Sequence, residues 1–406
     1  MPIDLDRRSR SGSDVRPTPA SQFFTDDFIA LAQCNGHLVA EGIRFLQAPP
    51  LAIIVDDSSW SVTANGEVLQ VDEGVVEGAL EIRLTAELFS EFAQNQISLN
   101  GMIVARLLQL GADKMREVSI WDALWHSLLD GWPVVVPALT FLDRHGAPLD
   151  LSTAFTPDDE PMDVAHFLHE AGFLHLRGWL DPADMVAISA DMDRSLPGYV
   201  EGDGKSWWAT LGDGTRTCVR LQEFVEHSPT TARILSGATW DRLRRTLAGD
   251  DELVQEPVEG RIIEALFKPV GVMSGPSDVT FHRDCHLGGH MYNCSGTTIG
   301  IALTATSADN GLLRVIAGSH RVVVPVEVAK TNPYLPLIGV PTEPGDLTVH
   351  LSCTLHEATP PVTHERRVMY TGFGLPSRGA AVTNSLSKLR EQVSDILREE
   401  RRTDER

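Results

Sequence analysis

The residues most suited to chemistry lie in one short segment, where three of the chain's 14 histidines fall within residues 282–290. The segment begins His282-Arg283-Asp284. Because residues i and i+2 of a β-strand point to the same face, a strand here would direct the imidazole of His282 and the carboxylate of Asp284 towards one metal ion. A solvated surface pair is the commoner reason for such a tripeptide, so the motif needs further support.

A second histidine would complete a known set of metal ligands. Iron that must also bind oxygen and a co-substrate needs three protein ligands on one face, and two histidines with one carboxylate supply them. His356 follows a Gly345-Asp346 turn and an apolar, strand-like run. Antiparallel pairing of that strand with the first segment would bring His356 to His282 and Asp284. The three residues are therefore candidates for one metal site.

The order of motifs along the chain adds the further support. The His-x-Asp tripeptide is followed by Asn310-Gly-Leu-Leu-Arg-Val-Ile-Ala-Gly-Ser-His320, then by Gly345-Asp346, His356 and Arg367. This series, within about residues 163–376, resembles the phytanoyl-CoA dioxygenase family of Fe(II)/2-oxoglutarate oxygenases. The resemblance implies a double-stranded β-helix, a cupin-like jelly roll with flanking helices, that uses Fe(II), 2-oxoglutarate and O2.

The same resemblance implies roles for individual residues. His282, Asp284 and His356 correspond to the iron ligands. Arg367 corresponds to the arginine that grips the distal carboxylate of 2-oxoglutarate, a task that suits a bidentate guanidinium. Adjacent residues of a strand point opposite ways, so only one of Arg366 and Arg367 can face the interior. We predict that it is Arg367.

Two further basic residues are candidates for the co-substrate site: Arg220 resembles a basic family residue near the co-substrate, and Lys268 is expected at the rim of the same site. A surface salt bridge is the alternative for each of them. Asp284 also bears on the reaction, because halogenating relatives lack this carboxylate and leave room for chloride. Hydroxylation or a related oxidation is therefore favoured. Ala317 and Ala358 depart from the family's usual proline and small hydroxyl residue, but neither departure removes a ligand.

Four residues are candidates for contact with the substrate: Trp207, Trp208, Arg283 and Met291. The two tryptophans lie in a glycine-rich stretch, which is typical of a mobile loop that covers a pocket. Packing in the core is the alternative for both. Arg283 and Met291 flank the predicted ligand strand and would line the substrate pocket.

Composition excludes several classes of partner. The net charge of −22 would repel a polyphosphate backbone, which argues against nucleic acid. No run approaches the roughly 18 consecutive apolar residues of a membrane span, and no targeting signal is visible, so we expect a cytoplasmic location. The five cysteines are odd in number and form no CxxC pair, which favours reduced thiols over disulfides or a cysteine-based zinc site.

The elements that must position the candidate site divide the chain into five predicted parts. Residues 1–22 contain too little apolar surface to fold alone and are predicted to be a flexible arm. Residues 23–142 alternate strand and helix patterns, which indicates an α+β module. A linker at 143–161, the jelly roll at 162–378 and an amphipathic helix at 379–406 follow.

The N-terminal module, over about residues 23–140, resembles sterol-carrier-protein-2-like domains, which would suit a hydrophobic substrate. An architectural or dimerising role is the alternative. The C-terminal helix is expected to pack on its own domain, with a homodimer contact as the second interpretation.

Together these features predict a dioxygenase that hydroxylates or otherwise oxidises an unactivated C–H bond and releases succinate and CO2. The expected substrate is a hydrophobic small molecule, an acyl thioester or a secondary metabolite. The alternative is a metal-containing jelly-roll protein that binds or senses a ligand without turnover.

Overall fold

A computed structural model of the chain describes residues 16–104, 106–135, 139–248, 263–274, 280–287 and 296–374. Met291, the predicted C-terminal helix at 379–406 and most of the predicted N-terminal arm lie outside these residues.

The N-terminal half is an α+β module, as predicted. Its elements are α1 (Ala20–Gln22), α2 (Phe28–Leu46), β1 (Leu51–Val55), β2 (Ser58–Asn65), β3 (Val68–Glu73), β4 (Leu80–Leu84), α3 (Ala86–Ala93), α4 (Leu99–Val104) and α5 (Met115–Asp130). A π-helical turn joins α1 to α2, so the two form one continuous helix. The sheet has the order β3-β2-β1-β4, with β1 antiparallel to β2 and parallel to β4. Its core is aromatic, and Phe92 stacks on Trp125 with ring centroids 4.6 Å apart.

The second half alternates short helices with strands and then becomes strand-rich. Its elements are β5 (Ala154–Phe155), α6 (Pro161–Ala171), β6 (Phe173–Leu176), α7 (Pro182–Ser195), β7 (Ser206–Leu211), β8 (Arg216–Leu221), α8 (Pro229–Leu235), α9 (Ala238–Ala248), β9 (Glu264–Lys268), β10 (Val272–Ser274), β11 (Gly296–Ala302), β12 (Leu313–Ile316), α10 (Val326–Thr331), β13 (Leu337–Val340), β14 (Leu347–Leu351), β15 (His356–Ala358) and β16 (Arg366–Gly374). As the Asp-Pro pair predicts, Asp181 caps α7 by accepting a hydrogen bond from the amide of Ala183.

These strands form the two sheets of a jelly roll. The large sheet has the order β10-β7-β8-β9-β16-β11-β14-β6-β5, and the small sheet has the order β13-β12-β15. The predicted double-stranded β-helix is therefore confirmed. Strand β16 lies between β9 and β11 and pairs antiparallel with both. Residues directly opposite one another on these strands have their side chains on the same face of the sheet.

The two faces of β16 have different surroundings. On the odd-numbered face, the Met369 sulfur lies 3.6 Å from the Thr231 hydroxyl of α8, and Phe373 packs on α9. On the even-numbered face, Gly311 of the loop before β12 lies so close to Arg366 that a Cβ there would be 2.4 Å from the Arg366 Cδ. The even-numbered residues of β16 therefore point into the space between the two sheets.

Two sequence-based boundaries differ from the structure. Arg16 and Thr18 belong to the predicted flexible arm, yet their amides donate to the side chains of Gln94 and Ser90. The predicted linker at 143–161 contributes β5, which pairs in parallel with β6 in the large sheet. One hydrophobic core runs through both halves of the chain, because the helices and all three sheets contribute buried apolar residues to it. None of the described helices is both long and apolar enough to span a lipid bilayer.

Candidate active site

The three predicted ligands come together in the structure. His282, Asp284 and His356 each offer one ligand atom, and these atoms all lie within 4.8 Å of one another. The Asp284 Oδ1 is 3.5 Å from the His282 Nε2 and 3.6 Å from the His356 Nε2. Ligand atoms bound at about 2.1 Å and at right angles to one another lie about 3 Å apart. The donor set therefore fits a metal ion once the three side chains move closer together around it.

A short antiparallel bridge brings these residues together. The amide of His282 donates to the carbonyl of His356 at 3.0 Å, and the amide of His356 donates back at 3.1 Å. His356 begins β15 of the small sheet and does not lie at the end of the strand that follows the Gly345-Asp346 turn, which is β14 of the large sheet. The expectation of a regular strand through the tripeptide is also wrong, because Asp284 begins a 3-10 turn that extends to Leu287. The tight turn, and not strand alternation, places the carboxylate beside the two imidazoles.

Backbone carbonyls select the tautomer of both histidines. The Nδ1 of His282 lies 2.8 Å from the carbonyl oxygen of Thr280, and that of His356 lies 3.0 Å from the carbonyl oxygen of Thr354. A carbonyl oxygen can only accept, so Nδ1 carries the proton in each ring. The lone pair of each Nε2 then points towards Asp284, which is the arrangement that metal-binding histidines adopt.

The protonation states of the candidate ligands are also those that a divalent metal requires. Burial lowers the pKa of His356 to about 3, and the neighbouring His350 and His282 act in the same direction, so its imidazole is neutral near pH 7. Burial alone would raise the pKa of Asp284. Its interactions with His356, His282 and His350 outweigh that effect and hold the pKa well below the usual value. Ionised carboxylate and neutral imidazole are the ligand forms that bind divalent metals.

Two residues that the sequence analysis missed hold the second carboxylate oxygen. The hydroxyl of Thr298, on β11, donates to the Asp284 Oδ2 at 2.6 Å, and the His350 Nε2, on β14, lies 3.3 Å from the same oxygen. Thr298 and His350 are directly opposite each other in the sheet. One signal was available, because His350 is a histidine within a strand whose five residues are all buried.

The two adjacent arginines of β16 face opposite sides of the sheet, in the reverse of the predicted arrangement. Arg367 points to the helix side of the sheet, where its Nη2 is 2.8 Å from Asp193, its Nε is 2.7 Å from Glu365, and its Nη1 donates to the Ser189 carbonyl of α7. Arg366 points between the sheets and is 4% exposed. The expectation that Arg367 is the arginine that faces the interior is therefore wrong, because the register of β16 places Arg366 on the metal side of the sheet.

Arg366 has unused hydrogen-bonding capacity. Its Nε and Nη1 are buried without a hydrogen-bond partner, and its Nη2 lies 3.4 Å from the hydroxyl of Tyr370. Buried donors are seldom left unpaired in proteins, so two free guanidinium nitrogens indicate a place for an anionic ligand.

Further cations surround Arg366. Lys268 is buried and lies directly opposite Arg366 on β9. Burial raises the pKa of Tyr370, but the charges of Arg366, Lys268 and Arg220 outweigh it and leave that pKa below its usual value. Arg220 is already paired with Glu264 at 2.9 Å. The space between the sheets is therefore electropositive and suits a dicarboxylate.

The predicted substrate residues fall into three groups. Trp207 and Trp208 lie on β7 and not on a loop, so the expectation of a mobile lid is wrong: Trp207 stacks on Arg220 at 4.3 Å and Trp208 packs against the core. Arg283 is fully buried and bonded to backbone carbonyls, so it does not line a substrate pocket. Met291 lies outside the described residues.

Comparison with known proteins assigns part of the chain to a family. Residues 168–369, about half of the chain, match the sequence model of the family described as phytanoyl-CoA dioxygenase (PhyH). No curated protein matches the chain. The matched segment includes the three candidate ligands and both arginines of β16. The matches give no support to the resemblance of residues 23–140 to sterol-carrier-protein-2-like domains.

Three solved structures illustrate the similarity of this chain to known proteins. AviO1 from Streptomyces viridochromogenes Tue57 is 19% identical, with 55% of this chain and 98% of that chain covered and a TM-score of 0.43. The non-haem alpha ketoglutarate dependent epimerase SnoN from nogalamycin biosynthesis is 21% identical, with 54% of this chain and 85% of that chain covered and a TM-score of 0.42. EctD from S. alaskensis with 2-oxoglutarate and 5-hydroxyectoine is 19% identical, with 62% of this chain and 87% of that chain covered and a TM-score of 0.43.

The metal-free protein should lose stability in acid because of His356. The unfolded chain protonates this imidazole near pH 6.5, whereas the folded chain resists protonation until about pH 3. The unfolded state therefore binds more protons between these values, and the free energy of unfolding falls by up to about 1.4 kcal/mol per pH unit from this group. Urea denaturation at several pH values should show a shallower fall for His356→Gln than for the wild type. The exposed His145→Gln serves as the control, and equal slopes in all three proteins would contradict the assignment.

Thr298 should affect metal binding through Asp284. Thr298→Val removes the hydroxyl donor with little change in volume, and loss of such an outer contact weakens metal affinity by about 10-fold. Anaerobic titration with Fe(II) measures the change. Thr297→Val is the matched control, since its hydroxyl donates to the Phe373 carbonyl on the other face of β11. Equal iron affinity in the two variants would show that Thr298 does not position the ligand.

Proposed function

Residues 168–369 make this chain a member of the phytanoyl-CoA dioxygenase family of Fe(II)- and 2-oxoglutarate-dependent dioxygenases, and we propose that His282, Asp284 and His356 hold its iron. The observation that carries this proposal is the joint geometry of the three residues. Two neutral imidazoles present Nε2 lone pairs, and one ionised carboxylate presents Oδ1, all within 4.8 Å. Two histidines and one carboxylate occupy one face of an iron ion and leave the other positions open for co-substrate and oxygen.

We propose Arg366 as the residue that binds the distal carboxylate of 2-oxoglutarate. Its free Nε and Nη1 are suited to a bidentate contact, which a planar guanidinium makes better than an ammonium group. Lys268 and Tyr370 share its face of the sheet and add positive potential and a hydroxyl donor. The ion pair of Arg220 with Glu264 leaves Arg220 a secondary role in setting that potential.

The reaction proposed is oxidation of an unactivated C–H bond. When bound, the iron supplies oxygen activation coupled to the conversion of 2-oxoglutarate into succinate and CO2, and the protein orients the participants and excludes water. Asp284 occupies the ligand position that a halogenating enzyme would leave to chloride, so hydroxylation or a related oxidation is favoured over halogenation. Thr298 and His350 restrain Asp284 and so keep that position filled.

The substrate class remains the prediction made above, a hydrophobic small molecule, an acyl thioester or a secondary metabolite. Trp207 is the remaining substrate candidate that fits the geometry, because it stacks on Arg220. Arg220 lies opposite Leu266 of β9, which lies opposite Val368 of β16, so Arg220 is on the same face of the sheet as Arg366. Release of succinate during incubation with panels of these three classes would identify the substrate. A homodimer contact and a cytoplasmic location likewise stay predictions.

The iron ligands can be tested by spectroscopy. His282→Ala and His356→Ala should each abolish the visible charge-transfer band that forms when Fe(II) and 2-oxoglutarate are added anaerobically, because each variant removes one of three protein ligands. The control is His145→Ala, which changes an exposed histidine far from these ligands in the chain. A band of full intensity in His356→Ala would overturn the proposed triad.

The two arginines of β16 give a matched pair of variants. Arg366→Met should raise the Kd for 2-oxoglutarate by about 30- to 100-fold, because a charged bidentate contact contributes about 2–3 kcal/mol. Fe(II) binding should change little. Arg367→Met should leave that Kd within about threefold and cost less than about 1 kcal/mol of stability, because its partner Asp193 is exposed and its partner Glu365 is partly exposed. Titration of the charge-transfer band with 2-oxoglutarate gives the Kd of each variant. A larger increase in Arg367→Met than in Arg366→Met would assign the co-substrate carboxylate to Arg367.

A further inference from the structure

Arg283, the middle residue of the ligand tripeptide, is fully buried and points away from the metal site. Its Nε donates to the Cys353 carbonyl at 3.0 Å, and its other nitrogens donate to the carbonyls of Ser319 at 3.2 Å and Val324 at 3.3 Å. The bond to Cys353 anchors the backbone between His282 and Asp284 to the segment that precedes His356, and the other two anchor it to residues 319–324. Carbonyl groups are neutral, however, and a buried guanidinium is stable only where an opposite charge compensates it.

Asp122, on α5 of the N-terminal module, supplies an opposite charge. It is fully buried, and its negative charge favours the charged form of Arg283, as the neighbouring Cys285 and Cys353 groups do more strongly, without a direct ion pair. The Asp122 Oδ1 accepts from the Leu99 amide at 2.7 Å, and its Oδ2 accepts from the Asn100 side chain at 2.6 Å. Asp122 therefore fixes the first residues of α4.

Helix α4 connects this carboxylate to the iron site in a second way. The helix packs against the 3-10 turn at Asp284–Leu287, which begins with the iron ligand Asp284. The ligand-bearing turn is thus held from one side by the carbonyl anchors of Arg283 and from the other by α4. Asp122 acts on both supports.

We propose that the N-terminal module completes the iron centre, with Asp122 as a positioning residue that sets the place of the turn Asp284–Leu287. The inference rests on the proposed function, since it assumes that this turn carries an iron ligand. Asp122 touches neither iron nor substrate. It acts through α4 and Arg283, and this gives the module a task in the chemistry of the other half of the chain.

Replacing Asp122 by asparagine tests both supports with little change in shape. An amide offers one acceptor oxygen in place of two, so either the Leu99 amide or the Asn100 side chain loses its partner inside the protein. The opposite charge near Arg283 is also lost. The turn should then occupy a wider range of positions, and the preorganisation of Asp284 should weaken.

The experiment compares Asp122→Asn with the wild-type full-length chain at pH 8. Burial raises the pKa of Asp122 to about 7, so the wild-type group is ionised under this condition. Anaerobic titration with Fe(II) alone should show an affinity about 10-fold weaker in the variant, and the charge-transfer band with 2-oxoglutarate should shift or weaken. The KM for 2-oxoglutarate at saturating iron should change little, since Arg366 is untouched.

Asp191→Asn is the matched control. Asp191 is also a buried carboxylate, and it accepts from the Ser228 hydroxyl at 2.6 Å on the helix side of the large sheet. This control should lower the melting temperature without changing iron affinity. If Asp122→Asn likewise lowers only the melting temperature, Asp122 has a purely structural role and the inference is overturned.

A measurement on the wild type keeps the inference testable if Asp122→Asn does not fold. Fe(II) should slow amide hydrogen exchange in residues 99–104 of α4 as well as in the ligand turn, because the two segments are packed together. Protection confined to the ligand turn would overturn the inference. A wild-type chain that binds no Fe(II) would overturn the proposed function and this inference with it, whereas normal iron binding with no response in α4 removes the inference alone.

Discussion

The site depends on how Asp284 divides its two carboxylate oxygens. Oδ1 faces the Nε2 atoms of His282 and His356, whereas Oδ2 is held by Thr298 and His350. With one oxygen restrained, the carboxylate cannot rotate freely, and the other oxygen stays directed at the metal position. Every segment of the jelly roll that contributes to this arrangement must be in register, because a slip of one residue in β11 or β14 would turn Thr298 or His350 to the opposite face.

The same register decides where the positive charge of the site lies. Arg366 and Lys268 lie opposite each other on β16 and β9, so both charged side chains face the space between the sheets. Arg366 keeps two buried guanidinium nitrogens without a hydrogen-bond partner, which is unfavourable by itself. A dianionic co-substrate would neutralise this potential, which explains why a folded protein retains guanidinium nitrogens without a partner.

The two halves of the chain are less independent than a linker between them would suggest. One hydrophobic core includes residues of both, and β5, from the predicted linker, extends the large sheet. The packing of α4 on the ligand turn and the hydrogen bonds of Asp122 to the first residues of α4 connect the N-terminal module to the candidate metal site. Stability of the N-terminal module and order in the metal site are therefore expected to change together.

The sequence by itself determined the chemistry of the ligands and the class of the fold. His282 and Asp284 are two residues apart, and His356 and the β16 arginines follow in a family order, so these features were readable along the chain. The tertiary structure alone decided the rest. The choice between Arg366 and Arg367 depends on how β16 pairs with β9 and β11, and the direction of Arg283 depends on carbonyls 36 to 70 residues away. Thr298 and His350 reach Asp284 across 14 and 66 residues. Such contacts arise from strand register and packing between distant segments, and local spacing does not encode them.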